Sequence, residues 1–413
     1  MRIASALLSF AAISQTFGQN HEQDQAALQL ETPNKHNNSH LKLTHDLIGL
    51  HANLTSLESI TGNEEGVGEW LVGSLTSQGY HVEKQYVDQK AGRFNIVAWP
   101  GKKQLDVQVL LTSHIDTVPP FYPYKHSKDP AESDNSTLSG RGSVDAKASV
   151  AAQIIALNNL MSSSKISPDS IALLYVVGEE TGGDGMRAAN ALHLKPRTII
   201  FGEPTEGKLA SGHKGNLGLV LTAKGKAAHS GYPWLGRSAN EVLVTALSAL
   251  MSLGETLPSS EKYGVTTLNI GKIQGGVAAN VISQDANATI AVRIASGTPA
   301  FIRDEITKTI HHAIRPFLQD GKLTHQDVIE ISFTSAGYGP VAIDHDVPDF
   351  ESMTVNYGTD IPNFNQTAEG QKRYLYGPGS ILVAHSDHEM LSEEELRGAV
   401  GDYEKIILHA VGK

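Results

Sequence analysis

The 413-residue sequence contains no cysteine, and this absence excludes several classes of protein. Disulfide-stapled domains, thiol nucleophiles, iron–sulfur clusters and cysteine-rich zinc sites all need a residue that this chain lacks. Basic residues are also scarce, since 33 Lys and Arg stand against 44 Asp and Glu and give a formal net charge of −11. This balance argues against a protein that binds nucleic acid or an anionic membrane. Without cysteine, any metal site must use histidine and carboxylate ligands.

Apolar runs long enough to span a membrane are absent too, and the N-terminus carries only a short apolar stretch. No later stretch reaches the about 18 uninterrupted apolar residues of a membrane span. The first residues combine a basic Arg2, a mostly apolar stretch at 4–13 and a small Gly18, which predicts a secretory signal peptide at residues 1–18. The alternative, a buried N-terminal helix, does not explain the polar residues 19–40, which predict a flexible arm. We therefore expect a secreted, extracellular protein.

Five Asn-x-Ser/Thr sequons fit export from a eukaryotic cell. They predict a glycoprotein with sugar at Asn37, Asn53, Asn135, Asn287 and Asn365.

Strand and helix patterns alternate along the body of the chain, which predicts an α/β fold. Almost continuous apolar runs, typical of strands buried in a mixed, mainly parallel sheet, occur at 107–113, 170–178, 197–202 and 380–385. Helical spacing of apolar residues occurs at 67–78, 144–163, 186–192, 240–253 and 299–317. At 213–319 the strands alternate in polarity, which predicts an inserted two-layer α+β domain. The α/β domain then has two parts, residues 41–212 and 320–413.

Side chains that can bind metal follow each of the four apolar runs. In chain order they are His114 with Asp116, Glu179 with Glu180, Glu203, and His385. A further carboxylate, Asp145, lies in a glycine-rich turn before a predicted helix. Because the carboxyl ends of parallel strands meet at one edge of a sheet, we expect these side chains to lie close together.

This set of histidines and carboxylates suits Zn²⁺, with Co²⁺ or Mn²⁺ as substitutes. Two metal ions need a shared ligand, and Asp145, with two free oxygens on a loop, fits that role. In the adjacent pair Glu179–Glu180, one carboxylate can bind metal while the other acts as general base for metal-activated water. A solvated surface pair is the alternative, but this pair follows a mostly apolar run and precedes a glycine-rich turn.

Six motifs together resemble one enzyme family. In chain order they are SHIDTVPP, GRGSVDAKAS, VVGEETGGDG, FGEPT, AAHSGYPWLGRSAN and AHSDHEML. Their order and spacing are similar to those of the di-zinc metallopeptidase family of acetylornithine deacetylase, succinyl-diaminopimelate desuccinylase and glutamate carboxypeptidase. The sequence looks most like a secreted, fungal-type carboxypeptidase of that family. The resemblance implies a zinc-exopeptidase fold, in which the inserted domain serves as lid and dimerisation domain of a homodimer.

The resemblance also implies a role for each metal ligand. The five zinc ligands are His114, Asp145, Glu180, Glu203 and His385. Asp145 bridges the two ions, and a cis peptide bond follows it. His388 competes with His385 as the last ligand, and the spacing of the family favours His385.

The remaining roles concern catalysis and substrate. The resemblance implies that Glu179 is the general base and that Asp116 orients His114. His229 of the lid, which can come from the partner subunit, stabilises the oxyanion. Arg293, Asn280 and Gly379 hold the substrate. The acidic residue that often stands two positions before this arginine is replaced by Ala291 here.

These residues predict a secreted zinc metallocarboxypeptidase that hydrolyses the C-terminal peptide bond of peptides. An N-acyl-amino-acid deacylase with the same di-zinc site is the alternative, because both reactions hydrolyse an amide next to a carboxylate-bearing residue. A catalytically inactive binding relative is a further alternative, but the base and all five ligand positions are filled. Other hydrolase signatures, such as HExxH and GxSxG, do not occur in the sequence.

Overall fold

The computed structural model describes residues 39–128, 136–319 and 321–413. The predicted signal peptide, the polar arm as far as residue 38, and the sequons at Asn37 and Asn135 lie outside these residues. Residues 43–413 form one compact unit, and of residues 1–42 only the start of the first helix is described. None of the described helices combines the length and the apolar character that a membrane span requires. Among the other sequons, Asn365 is exposed, whereas Asn53 and Asn287 are half-buried.

The helices and strands of the described residues are as follows. The helices are α1 (Ser39–Ser56), α2 (Glu65–Ser77), α3 (Lys147–Ser162), α4 (Asp184–Ala189), α5 (Ala239–Gly254), α6 (Pro299–Ala313) and α7 (Glu393–Ala410). The strands are β1 (His81–Asp88), β2 (Arg93–Trp99), β3 (Val109–His114), β4 (Lys125–Lys128), β5 (Ser136–Ser139), β6 (Ile171–Val176), β7 (Thr198–Gly202), β8 (Leu209–His213), β9 (Gly215–Lys224), β10 (Ser259–Ser260), β11 (Gly264–Val265), β12 (Thr267–Gly275), β13 (Asp285–Ile294), β14 (Ile329–Phe333), β15 (Val341–Ala342), β16 (Ser352–Val355), β17 (Lys372–Tyr376) and β18 (Met390–Ser392).

A six-stranded sheet forms the centre of the α/β domain, in the order β1-β2-β6-β3-β7-β17. The four strands β6, β3, β7 and β17 run parallel, while β1 and β2 pair in antiparallel fashion at one edge. Strands β3, β6 and β7 are buried along their whole length, which explains why their sequences do not alternate in polarity. The predicted mixed, mainly parallel α/β fold is confirmed.

Apolar side chains cover both faces of this sheet. One cluster joins Leu71 of α2, Leu157 of α3 and Ile406 of α7, and the other contains Trp99 and Phe201. Helix α3 is buried nearly all round, because it lies between the sheet and α7. The turn that precedes α3, with Asp145, is therefore fixed against the carboxyl end of the sheet.

The prediction of a fourth buried strand at 380–385 is wrong. Residues 381–385 form turns, Ser380 before them makes only an isolated bridge with Thr205, and Leu382 is 82% exposed. The strand that pairs with β7 is instead β17, which ends at Tyr376. Because β17 begins with Lys372 and Arg373, its sequence is typical of a surface segment. The apolar residues 381–384, in contrast, favour a buried strand. His385 therefore lies on a loop beyond the end of β17.

The inserted unit is a four-stranded antiparallel sheet in the order β12-β13-β9-β14, with α5 and α6 packed on one face. Strands β9 and β13 alternate between buried and more exposed residues, as expected for a sheet that faces water on one side. Strand β14 pairs with β9 but follows residue 319, where the predicted inserted domain ends. The sheet thus extends beyond the predicted C-terminal boundary of this unit.

Candidate metal centre

The carboxyl ends of the parallel strands bring the candidate ligands to one place. His114 is the last residue of β3, and Glu203 directly follows β7. Two residues separate the end of β6 from a short turn of 3₁₀ helix, Glu179–Thr181. His385 comes from the loop after β17, in a left-handed conformation with φ of 62°. The peptide bond after Asp145 is cis.

Asp145, His114 and Glu203 form the first group of candidate ligands. The Nε2 atom of His114 lies 3.0 Å from Asp145 Oδ1 and 3.9 Å from Glu203 Oε1. All three side chains are buried. His114 Nδ1 donates a hydrogen bond of 2.9 Å to the backbone carbonyl of Asp116, so Nε2 is left with a lone pair for a metal ion.

Asp145, Glu180 and His385 form the second group. His385 Nε2 lies 3.2 Å from Asp145 Oδ2 and 3.1 Å from Glu180 Oε2. The side chain of His385 is 51% exposed, so this group opens to solvent, unlike the first. His388 pairs with Asp387 and does not belong to either group.

The chemistry of these donors fits two divalent metal ions. Asp145 belongs to both groups and faces each with a different oxygen, as a bridging carboxylate must. Burial raises the pKa of Glu203 well above its usual value and also raises the pKa of Glu180. Hydrogen bonds to Asp145 and Glu180 raise the pKa of His385 to about 10. Crowded carboxylates of this kind attract cations, and nitrogen and oxygen donors of this type suit zinc.

Asp116 forms hydrogen bonds that position residues of both ligand groups. Its buried carboxylate accepts hydrogen bonds from the Thr61 hydroxyl at 2.7 Å, the Glu179 amide at 3.1 Å and the Glu180 amide at 3.3 Å. Its Oδ1 lies 3.5 Å from His114 Nδ1, farther than the backbone carbonyl of the same residue. The carboxylate thus holds the turn with Glu179 and Glu180, while the carbonyl orients His114.

Glu179 lies beside the two ligand groups without belonging to either. Burial raises its pKa well above the usual value of a glutamate, and although His114 opposes this effect, Asp360 and Glu180 add to it. A carboxylate with high proton affinity can take a proton from water and release it later to a leaving group. The environment of Glu179 therefore suits a general base.

Arg293 lies in a polar cluster that the sequence reasoning did not identify. The rings of His213 and Tyr338 meet edge to face with centroids 5.9 Å apart, and His213 Nε2 lies 3.1 Å from the Thr359 hydroxyl. The charge of Arg293 helps burial to lower the pKa of His213 to about 4. Both Glu179 and Arg293 act on the pKa of Tyr338, so the cluster is within electrostatic reach of the candidate base. The one signal in the sequence is His213 itself, a histidine at the predicted start of the inserted unit.

The structure does not bring every predicted residue to the ligand groups. His229 and Asn280 are exposed neighbours in two loops of the inserted unit, where the Ser230 amide donates to the Asn280 carbonyl at 3.0 Å. Among the described residues, no hydrogen bond or ion pair joins His229 to a candidate ligand. Gly379, by contrast, packs beside the turn of Asp145, because a Cβ added to it would lie 2.9 Å from Val144 Cγ1.

Known proteins resemble this chain over most of its length. Residues 211–321 match the domain described as a peptidase dimerisation domain. A probable carboxypeptidase of Aspergillus fumigatus is 45% identical and is aligned over 89% of this chain and 87% of its own. A peptidase M20 domain-containing protein of Sordaria macrospora is 44% identical, over 89% of this chain and 85% of its own. The chain belongs to the M20 peptidase family. The resemblance seen in the six sequence motifs is thereby confirmed.

Comparison of folds agrees with this assignment. The crystal structure of a tripeptidase from Staphylococcus aureus superposes on the M20 peptidase with a TM-score of 0.71 and 20% identity. The match covers 90% of this chain and 99% of the tripeptidase. The protein thus has the fold of the M20 metallopeptidases. Its similarity to the probable carboxypeptidase of Aspergillus fumigatus shows a hydrolase and supports the predicted peptidase activity.

Proposed function

We propose that this M20 peptidase is a secreted zinc metallocarboxypeptidase that removes the C-terminal residue of peptides. The observation that carries the proposal is the pair of ligand groups that share Asp145, with the half-buried Glu179 beside them. The probable carboxypeptidase of Aspergillus fumigatus, similar over most of both chains, supports the choice of reaction.

In this proposal His114 and Glu203 would hold one zinc ion, Glu180 and His385 would hold the other, and Asp145 would offer one oxygen to each group. When bound, a pair of divalent ions lowers the pKa of water and polarises a carbonyl oxygen. Glu179 takes the proton of the attacking water and passes it to the leaving amine. Asp116 keeps Glu179 in place through the hydrogen bond to its amide.

Arg293 selects the free carboxylate of the substrate, which makes the enzyme an exopeptidase. Arg293 is half-buried and forms no ion pair with any described residue, so no carboxylate of the described chain already pairs with its guanidinium. Gly379 offers backbone beside the ligand groups, and Asn280 contacts the peptide backbone. His229 donates a hydrogen bond to the oxyanion.

The proposal includes export and a homodimer. A signal peptide at residues 1–18 directs the chain to the extracellular space, where peptides are a nutrient. The exposed position of His229 supports an approach to the site from a partner subunit, since within the described part of the chain no hydrogen bond or ion pair joins it to the ligand groups. The match of residues 211–321 to a peptidase dimerisation domain supports the same assembly.

The test compares purified wild-type protein with Glu179→Gln. We expect about two zinc ions per chain in both proteins, and a kcat about 10²- to 10⁴-fold lower in the variant, because only the proton acceptor is lost. Substrates are N-blocked dipeptides and N-acetyl amino acids, measured side by side. Wild-type protein that binds no metal, or a variant that is as fast as wild type, overturns the proposal. Preferential turnover of N-acetyl amino acids replaces the carboxypeptidase with the deacylase.

A further inference from the structure

Glu389 is a buried carboxylate to which neither the ligand groups nor the proposed reaction assigns a task. It is 3% exposed. Its Oε1 accepts hydrogen bonds from the backbone amides of Gly142 at 3.0 Å, Val144 at 3.0 Å and Asp145 at 3.1 Å. Its Oε2 accepts a charge-assisted hydrogen bond of 2.7 Å from Arg141 Nη1. One side chain thus contacts most of the turn that presents Asp145.

The backbone of Glu389 holds the same turn. Its carbonyl accepts hydrogen bonds from the Gly140 amide at 3.2 Å and from the Ser143 hydroxyl at 3.3 Å. Residues 140–146 are all buried, and a buried amide without an acceptor destabilises the folded chain. Glu389 therefore supplies the acceptors that allow this turn to be buried next to the ligand groups.

Glu389 also connects this turn to a second ligand, because it comes four residues after His385. His385 lies on an exposed loop, whereas His114 and Glu203 are attached directly to the buried strands β3 and β7. The first ligand group is thus fixed by the sheet. The second group depends on the attachment of the His385 loop to the turn of Asp145, and Glu389 makes that attachment.

We propose that Glu389 is a positioning residue that sets the metal affinity of the second group, Asp145, Glu180 and His385. It acts through its Oε1, which fixes the turn of Asp145 against the loop of His385. The ion pair with Arg141 neutralises its charge in the core and does not itself place a ligand. This inference rests on the proposed function, since it requires the two groups to bind metal.

Two variants separate the position of the carboxylate from its charge. Glu389→Asp keeps the charge but withdraws the oxygens from the three amides by one methylene. The double variant Glu389→Gln/Arg141→Gln keeps an acceptor oxygen at the same distance and removes both charges of the buried pair together. Each chelator-stripped, full-length protein is titrated with Zn²⁺ in competition with a chromophoric chelator, which gives the number of ions and both affinities without an assay of activity.

We expect Glu389→Asp to bind one ion as wild type does and the second ion about 10- to 100-fold more weakly. The double variant should bind both ions within about threefold of wild type. Wild-type affinity for both ions in Glu389→Asp overturns the inference. Loss of the second ion in the double variant also overturns it, and this arm decides the matter if Glu389→Asp does not fold by circular dichroism.

Glu64→Asp is the matched control. Glu64 is equally buried in the same domain and is paired with Arg93 at 2.8 Å, but it contacts neither the turn of Asp145 nor the loop of His385. Glu64→Asp should bind both ions with wild-type affinity. If it loses the second ion as Glu389→Asp does, general destabilisation explains the effect and the inference is overturned. Wild-type protein that binds no zinc contradicts the proposed function itself, which is a separate result.

Discussion

Candidate site residues are buried at the carboxyl end of the central sheet and exposed in the loops of the inserted unit. At the sheet, His114 and Asp116 are buried and each is fixed by hydrogen bonds. In the inserted unit, His229 is exposed and continues into an exposed ladder of Tyr232 and Trp234, whose rings meet at 5.5 Å. A buried group that would hold a cation must be arranged beforehand, because a misplaced buried charge is costly. Groups that meet the reacting substrate can remain in solvent until it arrives.

The sharpest way to break this comparison is to remove His229. We expect His229→Ala to lower kcat about 10²- to 10³-fold, as for the loss of an oxyanion donor, and to leave the zinc content unchanged. Steady-state kinetics together with metal analysis check both parts. His312→Ala, on the exposed side of α6, is the control and should retain wild-type kcat. A loss of zinc in His229→Ala would show that this residue contributes to metal binding, and would contradict the comparison.

A second prediction concerns Arg293, which lies near the end of strand β13 in the inserted unit. Arg293→Lys keeps the charge but loses the paired hydrogen bonds to a carboxylate, so KM for peptides with a free C-terminus should rise about tenfold or more. The same peptides with a C-terminal amide serve as the internal control, and their kcat/KM should change little. An equal effect on both kinds of substrate would contradict carboxylate recognition by Arg293.

The smallest expected effect concerns stability in the buried region. Burial lowers the pKa of His51 from 6.5 to about 4, although its ring donates a hydrogen bond to the Ser143 carbonyl. The unfolded chain therefore takes up a proton before the folded chain does, and the free energy of unfolding falls as pH drops from about 6.5 towards 4. His51 alone should cost about 1 kcal/mol between pH 7 and pH 5.5. Urea unfolding at both pH values checks this.

His51→Gln is the matched comparison, since it removes the titrating ring. The difference in unfolding free energy between pH 7 and pH 5.5 should be about 1 kcal/mol smaller in this variant than in wild type. An unchanged pH dependence would show that His51 is not the responsible group.

The sequence alone predicted the part of the site that depends on strand ends. His114 and Glu203 follow uninterrupted apolar runs, and such runs are diagnostic because β3 and β7 are buried on both faces. His385 was placed among the ligands by its motif, although the strand predicted before it does not exist. Motif spacing predicts this residue as a ligand where hydrophobicity is misleading, because Leu382 is apolar but exposed and Ile381, Val383 and Ala384 are only partly buried.

The supporting residues could not be predicted in the same way. Glu389 is one acidic residue in a polar segment, and only the folded chain shows that it meets a turn more than 240 residues earlier. The two amides held by the Asp116 carboxylate are likewise invisible in the sequence, because backbone donors carry no residue signature. Long-range hydrogen bonds between side chain and main chain depend on the register of the whole sheet.

The two ends of the inserted unit lie side by side. The amide of Asn216 donates to the Tyr338 carbonyl at 3.0 Å, and the amide of Tyr338 donates to the Asn216 carbonyl at the same distance. A stretch of more than 100 residues thus leaves and rejoins the α/β domain at a single pair of adjacent residues. Because the chain leaves and returns at adjacent residues, we expect that a short turn could replace the insert without a change in the path of the chain that carries the candidate ligands.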